Sequence, residues 1–267
     1  MKNFNMTRFG HVLKLDFAEG RKAMMWGALC MLLLYLLFFW FAHNIGYRSY
    51  DVVDWDKHIK QICYGVSTFS MIAMYIYFLV TASTIYRGEQ KKQQRIAWLM
   101  LPATNLEKFL SRWIYMLVFM LVGGVLPIGL ADCIHMVWLQ IADHPVYSMT
   151  KEFVDHLPKV NEYSPLLAVV NNYLSFVFIH ALFLLGGVFF KKYHFIATSV
   201  VFAILSAVVV WTINSLGYRD TPTPQSELTM SYIFWMCFHT CLIAAFTWLA
   251  YRLFCRYQVV THKFANI

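Results

Sequence analysis

The sequence is short of charged residues, which make up only 13% of its 267 positions. A typical soluble domain contains about 25% charged residues. Hydrophobic residues make up 60% instead, and apolar runs of about twenty residues, long enough to cross a bilayer, recur along the chain. The short alternating segments of a membrane β-barrel are missing. The sequence therefore predicts an all-α, polytopic membrane protein.

Several catalytic motifs are also missing. The sequence has no Gly-x-x-x-x-Gly-Lys-Ser/Thr phosphate loop, so it cannot hydrolyse ATP by that route. It has no His-Glu-x-x-His and no Gly-x-Ser-x-Gly. Its six cysteines show no metal-ligand spacing, and we interpret Cys237 and Cys241, four residues apart in an apolar run, as packing residues. We expect no catalytic or metal-binding residues and no cofactor in this chain.

Six transmembrane helices are predicted from the apolar runs. They cover roughly residues 23–42, 62–86, 109–138, 166–190, 195–216 and 231–254. Before them, residues 1–22 are basic and have apolar positions near helical spacing, which is typical of an amphipathic helix on the membrane surface. The predicted division is an N-terminal segment 1–22, a membrane domain 23–254 and a tail 255–267.

Two features interrupt this regular pattern. Gly123, Gly124 and Pro127 fall near the middle of the long third span and predict a kink or break there. The loop from 139 to 165 is acidic and long enough to hold a short helix outside the membrane.

The basic residues predict the orientation. If both termini and the loops after spans two and four lie on one side, that side holds 16 of the 22 Lys and Arg and four of the 14 acids. The positive-inside rule then makes both termini cytoplasmic. The net charge of +8 is explained by these loops, so we do not expect nucleic acid as a partner.

The most basic connection, from Arg87 to Trp113, contains a helix-start signal. Thr104 and Glu107 have the spacing of a capping box, in which each side chain bonds a free backbone N–H of the other residue. Pro102 stops any helix arriving from the other side. A plain connection between two spans would not need this construction, so we expect a partner to bind here.

The layout resembles a type 2 ABC transporter permease, which has an amphipathic N-terminal helix, six spans and a cytoplasmic coupling helix between spans two and three. The string from Leu101 to Trp113 resembles a Leu-Pro-Ala-Ser/Thr-x-x-Glu-Lys-Phe segment in uncharacterised permease-like proteins of Bacteroidetes. The resemblance implies a separate ATPase subunit that binds ATP and Mg, a second permease chain, identical or different, and a place in the bacterial cytoplasmic (inner) membrane.

The predicted docking residues lie in the coupling loop. Leu106, Phe109, Leu110 and Trp113 follow helical spacing and would give one apolar face for a groove in the partner. Which half docks, 91–101 or 104–112, stays open. The candidate docking residues are Arg95, Thr104, Leu106, Glu107, Lys108, Phe109 and Arg112. The alternative is that this segment only leads into the third span, with its cations near lipid phosphates.

Three functions remain open on these grounds. The first is the membrane subunit of an ATP-driven exporter. The second is a non-transporting scaffold or sensor whose basic loop binds anionic lipid or a signalling protein. The third is an intramembrane enzyme, because Asp132 and His135 are three residues apart in the third span and form a possible polar site.

Overall fold

The computed structural model describes residues 3–49, 55–84, 86, 92–156, 166–190, 193–215 and 225–256. Every regular element in these ranges is helical. The elements are α1 (Met6–Ser49), α2 (Trp55–Thr84), α3 (Lys92–Leu99), α4 (Asn105–Met120), a π-helical turn (Leu121–Val125), α5 (Leu126–Ile141), α6 (Met149–His156), α7 (Leu166–Phe189), α8 (His194–Ser215) and α9 (Gln225–Cys255).

Five helical segments are long and apolar enough to cross a membrane. Among the described residues they are Met6–Asn44, Trp55–Thr84, Asn105–Ile141, Leu166–Phe189 and Met230–Cys255. The prediction of an all-α membrane protein is confirmed at this level. The helix predicted over 195–216 is present as α8, but the described apolar part of it is the shorter stretch His194–Val208.

Individual segments can be compared with the predictions. The N-terminal segment and the first span are joined in one helix, since α1 continues from Met6 to Ser49 without a break, and an amphipathic surface segment over 1–22 stays a prediction. Cys237 and Cys241 are exposed on α9 rather than buried as packing residues. The tail beyond residue 256 and positions 219–224 of the predicted 219–230 loop lie outside the described residues, whereas 225–230 belong to α9.

The irregularity predicted in the third span is present as a π-helical turn between α4 and α5. The N–H of Leu126 donates to the carbonyl of Leu121, five residues back, so one extra residue is accommodated in the turn. Gly123 lies here because a Cβ at this position would collide with the Tyr77 hydroxyl. Pro127 follows in the first turn of α5. Proline has no backbone N–H to donate, and the first turn of a helix is where it is best tolerated.

The chain divides into two compact units. The first comprises Met1–Val12, Leu79–Trp113 and Pro158–Ile267, and the second comprises Leu13–Phe78 and Ile114–Leu157. Helices α1, α2 and α4 each contribute residues to both units. The core of the second unit is built from α1, α2, α5 and α6 around the fully buried side chains of Tyr35, Ile59 and Leu139.

In the first unit, α7 packs against both α8 and α9. At Gly187, a Cβ would lie 2.5 Å from the backbone oxygen of Ser83, at the end of α2. Small residues that let helix backbones approach this closely are typical of packing inside membranes. The contact cannot be relieved by a rotamer change, because the opposing atom belongs to the backbone.

We expect Gly187→Val to destabilise the protein by about 1–3 kcal/mol, the usual cost of overpacking. Thermal melting of the detergent-solubilised chain measures this loss. Gly129→Ala is the matched control, since a Cβ there meets no atom within 4 Å. Equal melting temperatures for the Gly187 variant and the wild type would contradict the close approach.

Candidate functional site

The candidate site is the joint between α3 and α4 in the first unit. Helix α3 ends at Leu99, and the chain turns over residues 100–103, with the N–H of Ala103 donating to the carbonyl of Leu101 at 2.8 Å. Helix α4 begins at Asn105, so Thr104 is its N-cap residue. The predicted stop before Pro102 and start after Thr104 are both present.

The predicted capping box is present. The N–H of Thr104 donates to Oε2 of Glu107 at 2.7 Å, and the N–H of Glu107 donates to Oγ1 of Thr104 at 3.2 Å. Each side chain thus satisfies one backbone donor that the helix end leaves without an intrahelical partner.

The second oxygen of Glu107 binds the N-terminal segment. Its Oε1 accepts the backbone N–H of Asn5 at 2.6 Å and Nη2 of Arg8 at 3.0 Å. Asn5 itself caps α1, since its side-chain oxygen accepts the N–H of Thr7 at 2.9 Å. One fully buried carboxylate therefore holds the starts of both α1 and α4. The sequence gives no sign of this link between positions about one hundred residues apart.

Lys108 supports the other side of the joint. Its Nζ donates to the carbonyls of Trp98 and Leu99, at 2.9 and 3.2 Å, in the last turn of α3. It also lies 4.9 Å from the centroid of the Trp98 ring. A cation at a helix C-terminus satisfies free carbonyls and interacts favourably with the helix dipole. The end of α3 is thus fixed directly to the first turn of α4.

Phe109 anchors the joint in an aromatic cluster. Its ring lies 6.3 Å from that of Tyr86, 5.4 Å from that of Tyr251 and 5.4 Å from that of Phe254, between centroids. The ring of Trp98 also contacts Phe254, at 5.0 Å. Such edge and offset contacts each contribute about 0.5–1.5 kcal/mol beyond burial. The cluster connects α3, α4 and α9.

The predicted docking residues therefore separate into two groups. Glu107, Lys108, Phe109 and Arg112 are buried, so they support the joint from within. Leu106 is 41% exposed, and Thr104 is partly buried. The apolar face expected for a partner groove is consequently incomplete, because Phe109 turns inward. Arg95 lies on α3, and its side chain is outside the described part of the structure.

Exposed residues also lie on α3 and in the turn after it. Gln93, Ala97 and Met100 are exposed, and Met100 reaches 77%. This surface lies in the 91–101 half of the coupling loop, one of the two halves that the sequence leaves open for docking.

In the second unit, Asp132 has a structural role. Its carboxylate accepts Oγ of Ser148 at 2.6 Å and the backbone N–H groups of Met149 and Thr150 at 2.8 and 3.0 Å. These are the first N–H groups of α6 (Met149–His156), the short helix expected in this loop. The buried carboxylate thus satisfies the end of a second helix and fastens it to α5.

The turn after α5 makes this contact possible. Asp143 has φ 58°, in the left-handed region, and the N–H of His144 donates to the carbonyl of Leu139 at 3.0 Å. This pattern is a Schellman motif, which ends a helix and reverses the chain. Nearby, Tyr147 donates to Asp56 at 2.5 Å, and this hydrogen bond raises the pKa of the Tyr147 phenol.

His135 has a different partner from Asp132. Its Nε2 lies 3.0 Å from Nε2 of His43, and its ring stacks on Phe39 at 3.8 Å between centroids. Within the described ranges, no group of three or more His, Cys, Asp or Glu side chains is arranged to hold a metal ion. The two residues of the possible polar site therefore make separate contacts, one to α6 and one to α1.

One interhelical polar contact was missed by sequence reasoning. Nδ1 of His239 on α9 lies 3.1 Å from Oδ1 of Asn171 on α7. Their pairing depends on how α7 and α9 pack, which no local pattern encodes.

Comparison with known proteins gives no relative. The chain matches no protein-family model, no curated protein sequence and no solved structure.

We expect Glu107→Ala to loosen the N-terminal segment. The change leaves the N–H groups of Thr104 and Asn5 without their acceptor, and loss of such a capping interaction costs about 0.5–2 kcal/mol. Limited proteolysis should therefore cut near residue 5 faster, and the melting temperature should fall. Arg8→Ala, which removes only one of the donors, should have a smaller effect. Equal effects of the two variants would contradict the double capping role.

We expect Asp132→Ala to release α6. Hydrogen exchange of the amides of Met149 and Thr150 should accelerate by about 2- to 30-fold, since loss of a capping side chain costs about 0.5–2 kcal/mol. Asp143→Asn is the matched control in the same loop, because Asn tolerates the positive φ. Unchanged exchange in the Asp132 variant would contradict its role as the cap of α6.

Proposed function

We propose that the chain is the membrane-spanning permease subunit of an ATP-driven exporter of the ABC type, working with a separate ATPase subunit. The observation that carries the proposal is a short helix, α3, held rigidly at the end of two long apolar helices with one face exposed. In this proposal the partner binds ATP and Mg, and this chain supplies the pathway through the membrane.

Six spans are part of the proposal. Five apolar helices are long enough to cross, and α8 has 22 residues, which correspond to about 33 Å of helix. That length also matches a bilayer. With α8 as the fifth span, both termini and the α2–α4 connection fall on the same, basic side, which we assign to the cytoplasm of a bacterial inner membrane.

Helix α3 is the part that we assign to docking. A helix of eight residues is too short to be stable alone. Contacts with Lys108 and with the aromatic cluster around Phe109 supply the missing stability, so the exposed face of α3 is held in one position. A preorganised surface loses less entropy on binding than a flexible loop does.

The same contacts connect α3 mechanically to two of the spans. Movement of α3 acts on the first turn of α4 through Lys108, and on the start of α1 through Glu107 and Asn5. Both α1 and α4 continue as long apolar helices. ATP-driven closure of the partner would thus be applied to two spans at once, which is how access to the pathway would switch. A second permease chain would complete that pathway.

We expect Met100→Asp to uncouple the ATPase without unfolding the chain. Met100 is 77% exposed, so the substitution removes no internal contact but places a charge in an apolar interface. The measurements are stimulation of a co-purified ATPase by the reconstituted chain and the melting temperature of the chain. Stimulation should fall at least tenfold while the melting temperature stays within a degree or two.

Met6→Asp is the matched control, because Met6 is 75% exposed and begins α1. If both variants stimulate the ATPase normally, docking through α3 is wrong. If purification from the native membrane yields a stable assembly with no nucleotide-binding subunit, the chain is instead a scaffold or sensor.

A further inference from the structure

The second unit contains an apolar cleft between α1 and the π-helical turn with α5. Its volume is about 730 Å³. At about 30 Å³ for a group the size of a water molecule, this volume holds roughly 24 such groups, enough for a whole fatty acyl chain. The lining comes from Met25, Leu29 and Leu32 on one side and from Val122, Leu126 and Leu130 on the other.

The cleft opens outward from the helices. Met25, Trp26 and Leu126 line it and are 64%, 66% and 58% exposed. In a bilayer these side chains face lipid rather than water, because they lie within segments long and apolar enough to span it. The molecules next to the cleft are therefore membrane lipids, and we consider a lipid as its ligand.

The extent of the cleft matches one leaflet. From Lys22 to Leu32 it follows α1 for ten residues, or about 15 Å of helix. The hydrocarbon core of a bilayer is about 30 Å thick, so the cleft covers half of it. An acyl chain anchored at one surface would fill the cleft along its length.

Charge is present at one end only. Lys22 is the one charged residue in the described lining of the cleft, and it lies at the end nearest the basic N-terminal part of α1. Trp26 lies about one turn further along α1 in the lining, and indole side chains prefer the membrane interface. Basic sites between transmembrane helices recognise anionic lipid headgroups.

The geometry points to a binding site for one anionic phospholipid, with its phosphate at the Lys22 ammonium and one acyl chain in the cleft. The π-helical turn shapes the site, because Val122 within the turn and Leu126 directly after it both line the cleft. The inference uses only α1, the π-helical turn and α5, so it holds whether or not the chain docks an ATPase.

The experiment measures quenching of Trp26 fluorescence in the full chain, together with any subunits that co-purify, reconstituted in phosphatidylcholine vesicles. The vesicles carry equal small fractions of chain-brominated phosphatidylglycerol or chain-brominated phosphatidylcholine. The Trp26 signal is the difference between the wild type and Trp26→Phe. We expect about fivefold preferential quenching by the anionic lipid, which is what ~1 kcal/mol per surface cation gives.

Two pairs of variants locate the effect. Lys22→Ala should abolish the preference, whereas Lys14→Ala, on the same helix but outside the cleft, should keep it. Ala28→Phe fills the cleft and should lower quenching by both lipids, whereas Ala18→Phe outside it should not. Only variants whose melting temperature equals that of the wild type enter the comparison.

Three results would overturn the site. The first is equal quenching by the two lipids in the wild type. The second is an equal loss of preference in Lys22→Ala and Lys14→Ala, which would mean diffuse attraction to the whole basic segment. The third is no quenching of Trp26 by either lipid, which would mean that a second copy of the chain covers the cleft.

Discussion

The buried carboxylate of Glu107 is the interaction on which the joint between α3 and α4 depends. A charge removed from water is costly unless every oxygen is satisfied. Here one oxygen accepts the Thr104 N–H, and the other accepts the Asn5 N–H and the Arg8 guanidinium. The group therefore fixes one geometry, because any displacement of α1 or α4 leaves a buried charge without its donors.

Asp132 has the same capping role in the second unit. It too is buried, and it too accepts backbone N–H groups from a helix start while belonging to a long apolar helix. In both places an acid within an apolar segment accepts the free backbone donors of a helix start. His135, three residues after Asp132, contacts His43 on α1 instead.

Local signals in the sequence predicted the local features. Run length predicted the long helices, the Thr104–Glu107 spacing predicted the capping box, and Gly123, Gly124 and Pro127 predicted the irregular turn. The partners of these residues could not be predicted, because they come from distant parts of the chain. Glu107 also binds Asn5, and Lys108 binds the carbonyls of Trp98 and Leu99. The predicted docking residues therefore include buried as well as exposed side chains, because tertiary packing decides which of them are covered, and docking itself stays a prediction.

The π-helical turn between α4 and α5 also sets the phase of everything that follows it. A single residue corresponds to about 100° of rotation around a helix. Without the extra residue between Leu121 and Leu126, α5 would continue with all its side chains rotated by that angle. Asp132 would then face away from α6, and His135 away from His43. The turn thus acts as a local register shift, and it determines which side chains of α5 face α1 and α6.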